Sequence, residues 1–231
     1  KKCVRPSCLH PLPCPNLNND HAKLLDIYHS VDALPGVKKS FIGSGVRYDL
    51  AMHQNRNEKV NQTNKNYIKE LILKHVSGRL KVAPEHTSDA VLKCMRKPSF
   101  ELFKRFTETF DRLNQKYELR QQLIPYFISS HPACTEQDMV ELAIQTKQLN
   151  FRLEQVQDFT PTPMTVSSEI YYTGVHPYTL EKVYTARTPK EKENQRKYFF
   201  WYKPEYYQDI KRSLTRMHRA DLLNALFKKN K

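Results

Sequence analysis

A chain of 231 residues is long enough for one good-sized core, or for one domain with an extension. Its 38 Lys and Arg against 24 Asp and Glu leave a net charge of +14, which suits either a polyanionic partner or a strongly solubilised surface. The sequence has no apolar run of about 18 residues and no signal-peptide pattern, and its odd count of five cysteines argues against a disulfide framework, so a cytoplasmic protein is expected.

The chain starts at Lys1 without an initiator Met, so a fragment of a longer protein is expected. Residues 1–19 are rich in Pro, Cys and Asn and read as a cysteine-rich loop segment. Cys3, Cys8 and Cys14 crowd into it, with His10 and His21 nearby. Three thiolates and an imidazole suit a zinc site, and three thiolates also suit an iron–sulfur cluster, but the spacing matches no standard motif. Reduced, unliganded thiols are the other reading. Cys94 and Cys134 read as packing residues.

Asp20 is placed to cap a first helix carrying Leu24, Leu25 and Tyr28. A strand–helix unit then recurs. Strands are predicted over 37–43, 79–84, 121–128 and 151–159. Between them lie helices over 58–77, after Ser88, after Pro98-Ser99 and after Thr135. Gly78 fits a left-handed helix stop. Thr135 to Asp138 has capping-box spacing. The stripe Phe100, Phe103, Phe106 and Phe110 reads as the buried face of its helix. Alternation at this spacing implies right-handed crossovers and a parallel sheet. Four strands are too few to close a barrel, so the expected fold is α/β, a partial TIM-type (βα) barrel with about four parallel strands over 20–163. Residues 164–231 are tyrosine-rich and basic and read as a mainly helical extension. Helices are expected over 188–202 and 204–227, with a basic end at Lys211, Arg212, Arg216, Arg219, Lys228, Lys229 and Lys231.

In a parallel α/β sheet, ligands gather beyond the C-terminal strand ends. The four loops there supply Ser44, Arg47 and Asp49; Glu85 and His86; Ser129 and His131; and Gln157, Asp158 and Phe159. Such a ring suits a polar ligand bearing carboxylate and hydroxyl groups, and helix capping or mutual pairing is the plainer use of the same residues. No G-x-S-x-G elbow, H-E-x-x-H helix or phosphate loop is present, and no single catalytic residue stands out.

These loops resemble the radical S-adenosylmethionine (AdoMet) superfamily, and most closely its YgiQ-type branch. The resemblance spans nearly the whole chain. It rests on Cys3-Val4-Arg5-Pro6-Ser7-Cys8, Ser44-Gly45-Val46-Arg47-Tyr48-Asp49-Leu50, Lys81-Val82-Ala83-Pro84-Glu85-His86, Pro125 to Pro132 and Val156 to Pro163. Glu85 to Met95 and His131 to Asp138 are also similar, more distantly, to loops of the methylthiotransferase-like branch. The resemblance implies a partial barrel in which AdoMet is ligated to a [4Fe–4S] cluster and reductively cleaved to a 5′-deoxyadenosyl radical. By position it implies Glu85 at the ribose hydroxyls, Arg47 at the AdoMet carboxylate and Gln157 to Phe159 at the adenine edge. The family's C-x-x-x-C-x-x-C cluster loop does not occur in this chain. The full-length protein is therefore expected to be the enzyme. This chain is expected to be its C-terminal part, inactive without the missing N-terminal part, with Cys3, Cys8 and Cys14 as an additional metal site. The competing reading is a non-catalytic RNA-binding module that uses the basic, tyrosine-rich extension.

Overall fold

In the computed structural model, residues 3–5 and 7–228 are described, and they form a mixed α/β fold. Pro6 and the end of the expected basic tail, Lys229 to Lys231, lie outside the described residues. The strands β1 (Arg79–Glu85), β2 (Gln122–Ser129) and β3 (Gln155–Asp158) form one sheet in the order β1-β2-β3. Tyr126 to Ser129 pair in parallel with Gln155 to Asp158. The backbone divides into two compact units. One comprises Lys1–Ala83 with Arg96–Pro125, the other Pro84–Met95 with Tyr126–Lys231.

The first unit holds the first halves of β1 and β2 together with α1 (Ala22–Asp32), α2 (Tyr48–Ala51), α3 (Glu58–Lys74) and α5 (Phe100–Lys116), in which α3 packs against α1, α2 and α5; α4 (Asp89–Cys94) belongs to the second unit. Phe100, Phe103, Phe106 and Phe110 are all buried, as their spacing predicts. The Tyr48 ring sits 5.2 Å from Phe106 and 6.0 Å from Phe103. The asparagines of the opening segment are not free loop. Buried Asn64 of α3 donates to the Asn19 carbonyl and accepts from the His21 amide, while Asn19 donates to the Leu50 carbonyl.

The expected first strand over 37–43 is not a strand. This segment runs irregularly, tied by Ile42 N–H to the His75 carbonyl at 2.9 Å, and only Val46 bridges Val82. Lys38, Lys39 and the Gly43-Ser44-Gly45 turn leave too short an apolar run for a ladder, and Phe41 stays half exposed. Three strands, not four, therefore make the sheet, and the described residues form no closed barrel.

In the second unit, α6 (Glu136–Gln148) packs against α8 (Pro189–Arg196), the 3₁₀ turn Lys197–Phe200 and α10 (Ala220–Phe227), while α9 (Pro204–Arg216) packs on the 3₁₀ turn and α10; α7 (Val166–Thr173) follows β3. The helix expected over 204–227 breaks in two. His218 takes a left-handed φ of 55° and the Arg219 N–H reaches back to the Leu214 carbonyl, which ends α9 in a Schellman-type turn. Glu118 and Asn150 end α5 and α6 the same way. Gly78 does have positive φ, but four residues beyond Lys74, at the entry to β1 rather than as the helix stop.

Lys197 is buried at 4% exposure, and its ammonium donates to Ser213 Oγ at 2.6 Å and faces Glu136 Oε1 at 3.2 Å. The buried Tyr198 hydroxyl donates to the same carboxylate oxygen at 2.9 Å. A buried charge is tolerated only when it is compensated, so Glu136 holds the start of α6 to the 3₁₀ turn and α9. A Glu136→Ala variant is expected to lose roughly 3–5 kcal/mol of unfolding free energy in urea titrations, and Glu136→Gln, which keeps an acceptor for Tyr198 but leaves the Lys197 charge unmatched, most of that loss.

Candidate functional site

Two strands end in backbone that few side chains adopt. Glu85, the last residue of β1, has φ 69°, and Ser130, just after β2, has φ 60°. A non-glycine residue costs about 1 kcal/mol or more in this region, and such residues cluster at functional sites. Both turns belong to the second unit, as do His86, Ser129, His131 and the end of β3.

After Glu85 the chain turns inward. His86 is fully buried, and its Nδ1 accepts from the Ser88 N–H at 3.0 Å. The ring proton therefore sits on Nε2, which faces Cys134 Sγ at 3.4 Å. Burial lowers the His86 pKa to about 4, against the pull of Asp138 and with some help from His131. Burial pushes the Cys134 thiol upward. The pair is thus a neutral thiol against a neutral imidazole, not a thiolate nucleophile.

At the end of β2, Ser129 Oγ donates to Asp158 Oδ1 at 2.5 Å, and the Phe159 N–H donates to the Ser129 carbonyl at 2.8 Å. Arg196 of α8 reaches Asp158 Oδ2 at 3.4 Å. His131 is 3% exposed, and its Nδ1 donates to the Pro132 carbonyl at 2.8 Å. Its Nε2 is then left to accept from the Ser167 hydroxyl of α7 at 2.9 Å. Burial lowers the His131 pKa to about 4, although its bond to Pro132 favours the charged form. Phe159 stands edge-on to His131 at 4.8 Å and 5.6 Å from Tyr171. The loop is closed by Gln195 of α8, itself buried. Its Oε1 accepts from the Ser130 N–H at 2.8 Å and its Nε2 donates to the Cys134 carbonyl at 2.7 Å.

Two buried hydroxyls at these strand ends have no protein partner, Thr87 Oγ1 and Ser130 Oγ. Buried polar atoms are nearly always paired, which sets these two hydroxyls apart from the satisfied network around them.

The sequence-predicted residues divide accordingly. His86, Ser129, His131, Asp158 and Phe159 take part in the buried strand-end network; Glu85 sets the turn and Gln157 is exposed in β3. Ser44, Arg47 and Asp49 lie in the first unit. There, Arg47 donates twice to Asp49, at 2.8 and 2.6 Å, so the plainer use expected of this pair, mutual neutralisation, is the one observed. Cys3 and Cys8 are exposed, and Cys14 lines a cleft of about 390 Å³ with His53 and Arg56. Among the described residues no three His, Cys, Asp or Glu side chains come together to hold a metal ion. Thr87, Cys134, Ser167, Gln195 and Arg196 escape sequence reading. Gln195 lies 65 residues from Ser130 on an otherwise charged helix, and nothing local signals its role.

Residues 154–228 match a family model described as a domain of unknown function, DUF3362. The chain is similar to proteins named UPF0313. It is 64% identical to one from Bacteroides thetaiotaomicron over 100% of this chain and 37% of the relative. It is 59% identical to one from Porphyromonas gingivalis, over 98% of this chain and 36% of the relative. A Methanocella arvoryzae protein is 42% identical over 96% of this chain and 35% of its own length. The chain thus spans about a third of these relatives. Among the described residues no helix is long and apolar enough to cross a membrane.

Replacing Gln195 by Leu strands the Ser130 amide and the Cys134 carbonyl in the interior. The expected loss is about 1–3 kcal/mol per group, read as a lower urea midpoint together with faster amide exchange at Ser130. The two buried imidazoles set a pH dependence. In the unfolded chain they bind protons below about pH 6.5, and in the fold only below about 4, so the unfolded state binds more protons between these values. Stability is expected to be full above pH 7 and to fall as the pH drops from 6.5 to 4. His131→Gln should flatten that fall in urea titrations at pH 7, 6, 5 and 4.

Proposed function

We propose that this chain is the C-terminal part of a radical AdoMet enzyme, and that its strand-end loops supply one side of the AdoMet and substrate pocket. The observation that carries this reading is the pairing of left-handed turns at Glu85 and Ser130 with the orphaned buried hydroxyls Thr87 Oγ1 and Ser130 Oγ. It is supported by the resemblance of the same loops to the family, and by relatives about three times as long as this chain. A fourth barrel unit, built around Val46, would extend the sheet along β1 in the longer protein.

The residues fit AdoMet itself. Its ribose hydroxyls and ammonium offer the donors and acceptors that Thr87 and Ser130 lack, and the family resemblance implies Glu85 at the ribose diol. They do not fit the iron–sulfur cluster, because no suitable thiolate group is assembled among the described residues. The cluster would come from a cysteine loop elsewhere in the longer protein and would supply the electron that cleaves AdoMet. What this chain's residues do is bind, orient and exclude water. Ser129 and Asp158 lock the ends of β2 and β3 together, Phe159 offers an apolar face, and His131 stays neutral and holds Ser167.

The test uses the full-length Bacteroides thetaiotaomicron relative with this chain in place of its own homologous segment. Reconstituted without oxygen and given a strong reductant, it is expected to release 5′-deoxyadenosine and methionine from AdoMet. Glu85→Ala should raise the KM for AdoMet about tenfold or more. No cleavage from protein with an intact cluster would overturn the reading.

A further inference from the structure

We propose that the outer surface formed by α3 and the C-terminal end of α5 is a docking surface for single-stranded RNA. The positive charge of the chain is not spread evenly, and the extension is not its only seat. The first unit carries 21 Lys and Arg against 10 Asp and Glu, a net +11; the second carries 17 against 14, a net +3, within which residues 164–231 carry 14 against 7. Several basic residues of the extension are paired. Arg212 pairs with Asp209, Arg219 with Asp221, and Arg216 approaches Glu136.

The surface of α3 is different. Lys59, Gln62, Lys65, Asn66 and Lys69 recur at helical spacing and are all exposed, while Asn61, Asn64, Tyr67, Ile68 and Leu71 face the interior. The carboxylates of the helix stand aside. Glu58 lies at its first residue, 3.7 Å from Lys65, and Glu70 is taken up by His29 and Lys74. At the far end stands Tyr117, just after α5 and 37% exposed. Lys69 Nζ is 5.7 Å from its ring centre and Lys116 Nζ 5.6 Å. Among the described residues neither lysine has a carboxylate within ion-pair distance; the acidic neighbours in sequence are Glu70, taken up as above, and Glu118.

An exposed ring framed by two uncompensated ammoniums, continuing a row of lysines, has the parts that track a phosphodiester backbone and stack a base. The row also offers amides. Gln62 and Asn66, bonded to each other at 3.0 Å, stand between the lysines as donors and acceptors for ribose 2′-hydroxyls. That favours RNA over DNA, and the localised ring favours a nucleic acid over an anionic membrane.

The surface lies in the first unit and needs no cofactor, so the AdoMet reading stands or falls separately. The test is fluorescence anisotropy of the whole chain with a labelled 20-nucleotide single-stranded RNA in a series of salt concentrations. The expected result is binding that weakens steeply with salt. Reversing three charges together, Lys65→Glu, Lys69→Glu and Lys116→Glu, should weaken it at least tenfold and make the logarithmic salt slope shallower by about 2. Tyr117→Ala should weaken it about tenfold with the slope unchanged. Lys211→Glu with Arg212→Glu should change it less than threefold. Thermal melts confirm that each variant is folded. Any of four results overturns the proposal: no RNA binding, an unaltered slope in the folded triple variant, an equal loss from the Lys211 and Arg212 reversal, or tighter binding to phosphatidylserine vesicles or to DNA of the same sequence.

Discussion

The second unit depends on one side chain, the amide of Gln195. It satisfies the Ser130 N–H and the Cys134 carbonyl together, and so closes the turn that leaves β2. That turn contains Ser130 in the left-handed region and His131 in the interior, a combination that backbone preference alone does not hold. Because Gln195 comes from α8, the segment after residue 164 is not an appendage. It is a condition for the shape of the strand ends, and the matched domain at 154–228 carries the residue that imposes it.

A second constraint follows from burial. His86 and His131 are each held neutral by desolvation, and each tautomer is set by a backbone partner, the Ser88 N–H for one and the Pro132 carbonyl for the other. Neutral imidazoles next to a protonated Cys134 make this a rigid framework and not an acid–base machine. At these turns the Thr87 and Ser130 hydroxyls are enclosed and have no protein partner.

Charge is organised independently of this site. In the second unit several cations are held in structure. Lys197 and Arg216 converge on Glu136, and Lys147 donates to the Ala225, Leu226 and Lys228 carbonyls at the end of α10, where a cation meets the negative end of the helix dipole. In the first unit Lys65, Lys74 and Lys104 have carboxylate partners, whereas Lys69 and Lys116 border the Tyr117 ring with no ion pair among the described residues. The same residue type thus plays two parts, and which part depends on whether the tertiary fold brings a carboxylate or a carbonyl alongside.

The sequence by itself determined the alternation of strands and helices, the buried phenylalanine face of α5, the capping box at Thr135 and Asp138, and the loops that end β1, β2 and β3. These follow from short-range rules: periodicity, caps and the polarity change at a strand end. What it misjudged was local structure decided by distant partners. The 37–43 segment reads as a strand, but one bridge to Val82 does not make a ladder. Helices α5, α6 and α9 stop at Glu118, Asn150 and His218 in left-handed turns, and in a chain with only five glycines none of these announces itself. Only the tertiary structure decided that Gln195 closes the β2 turn across 65 residues and that Thr87 and Ser130 keep hydroxyls without partners. A hydrogen bond between residues far apart in sequence leaves no periodic trace, because its energy is won only after the chain has folded.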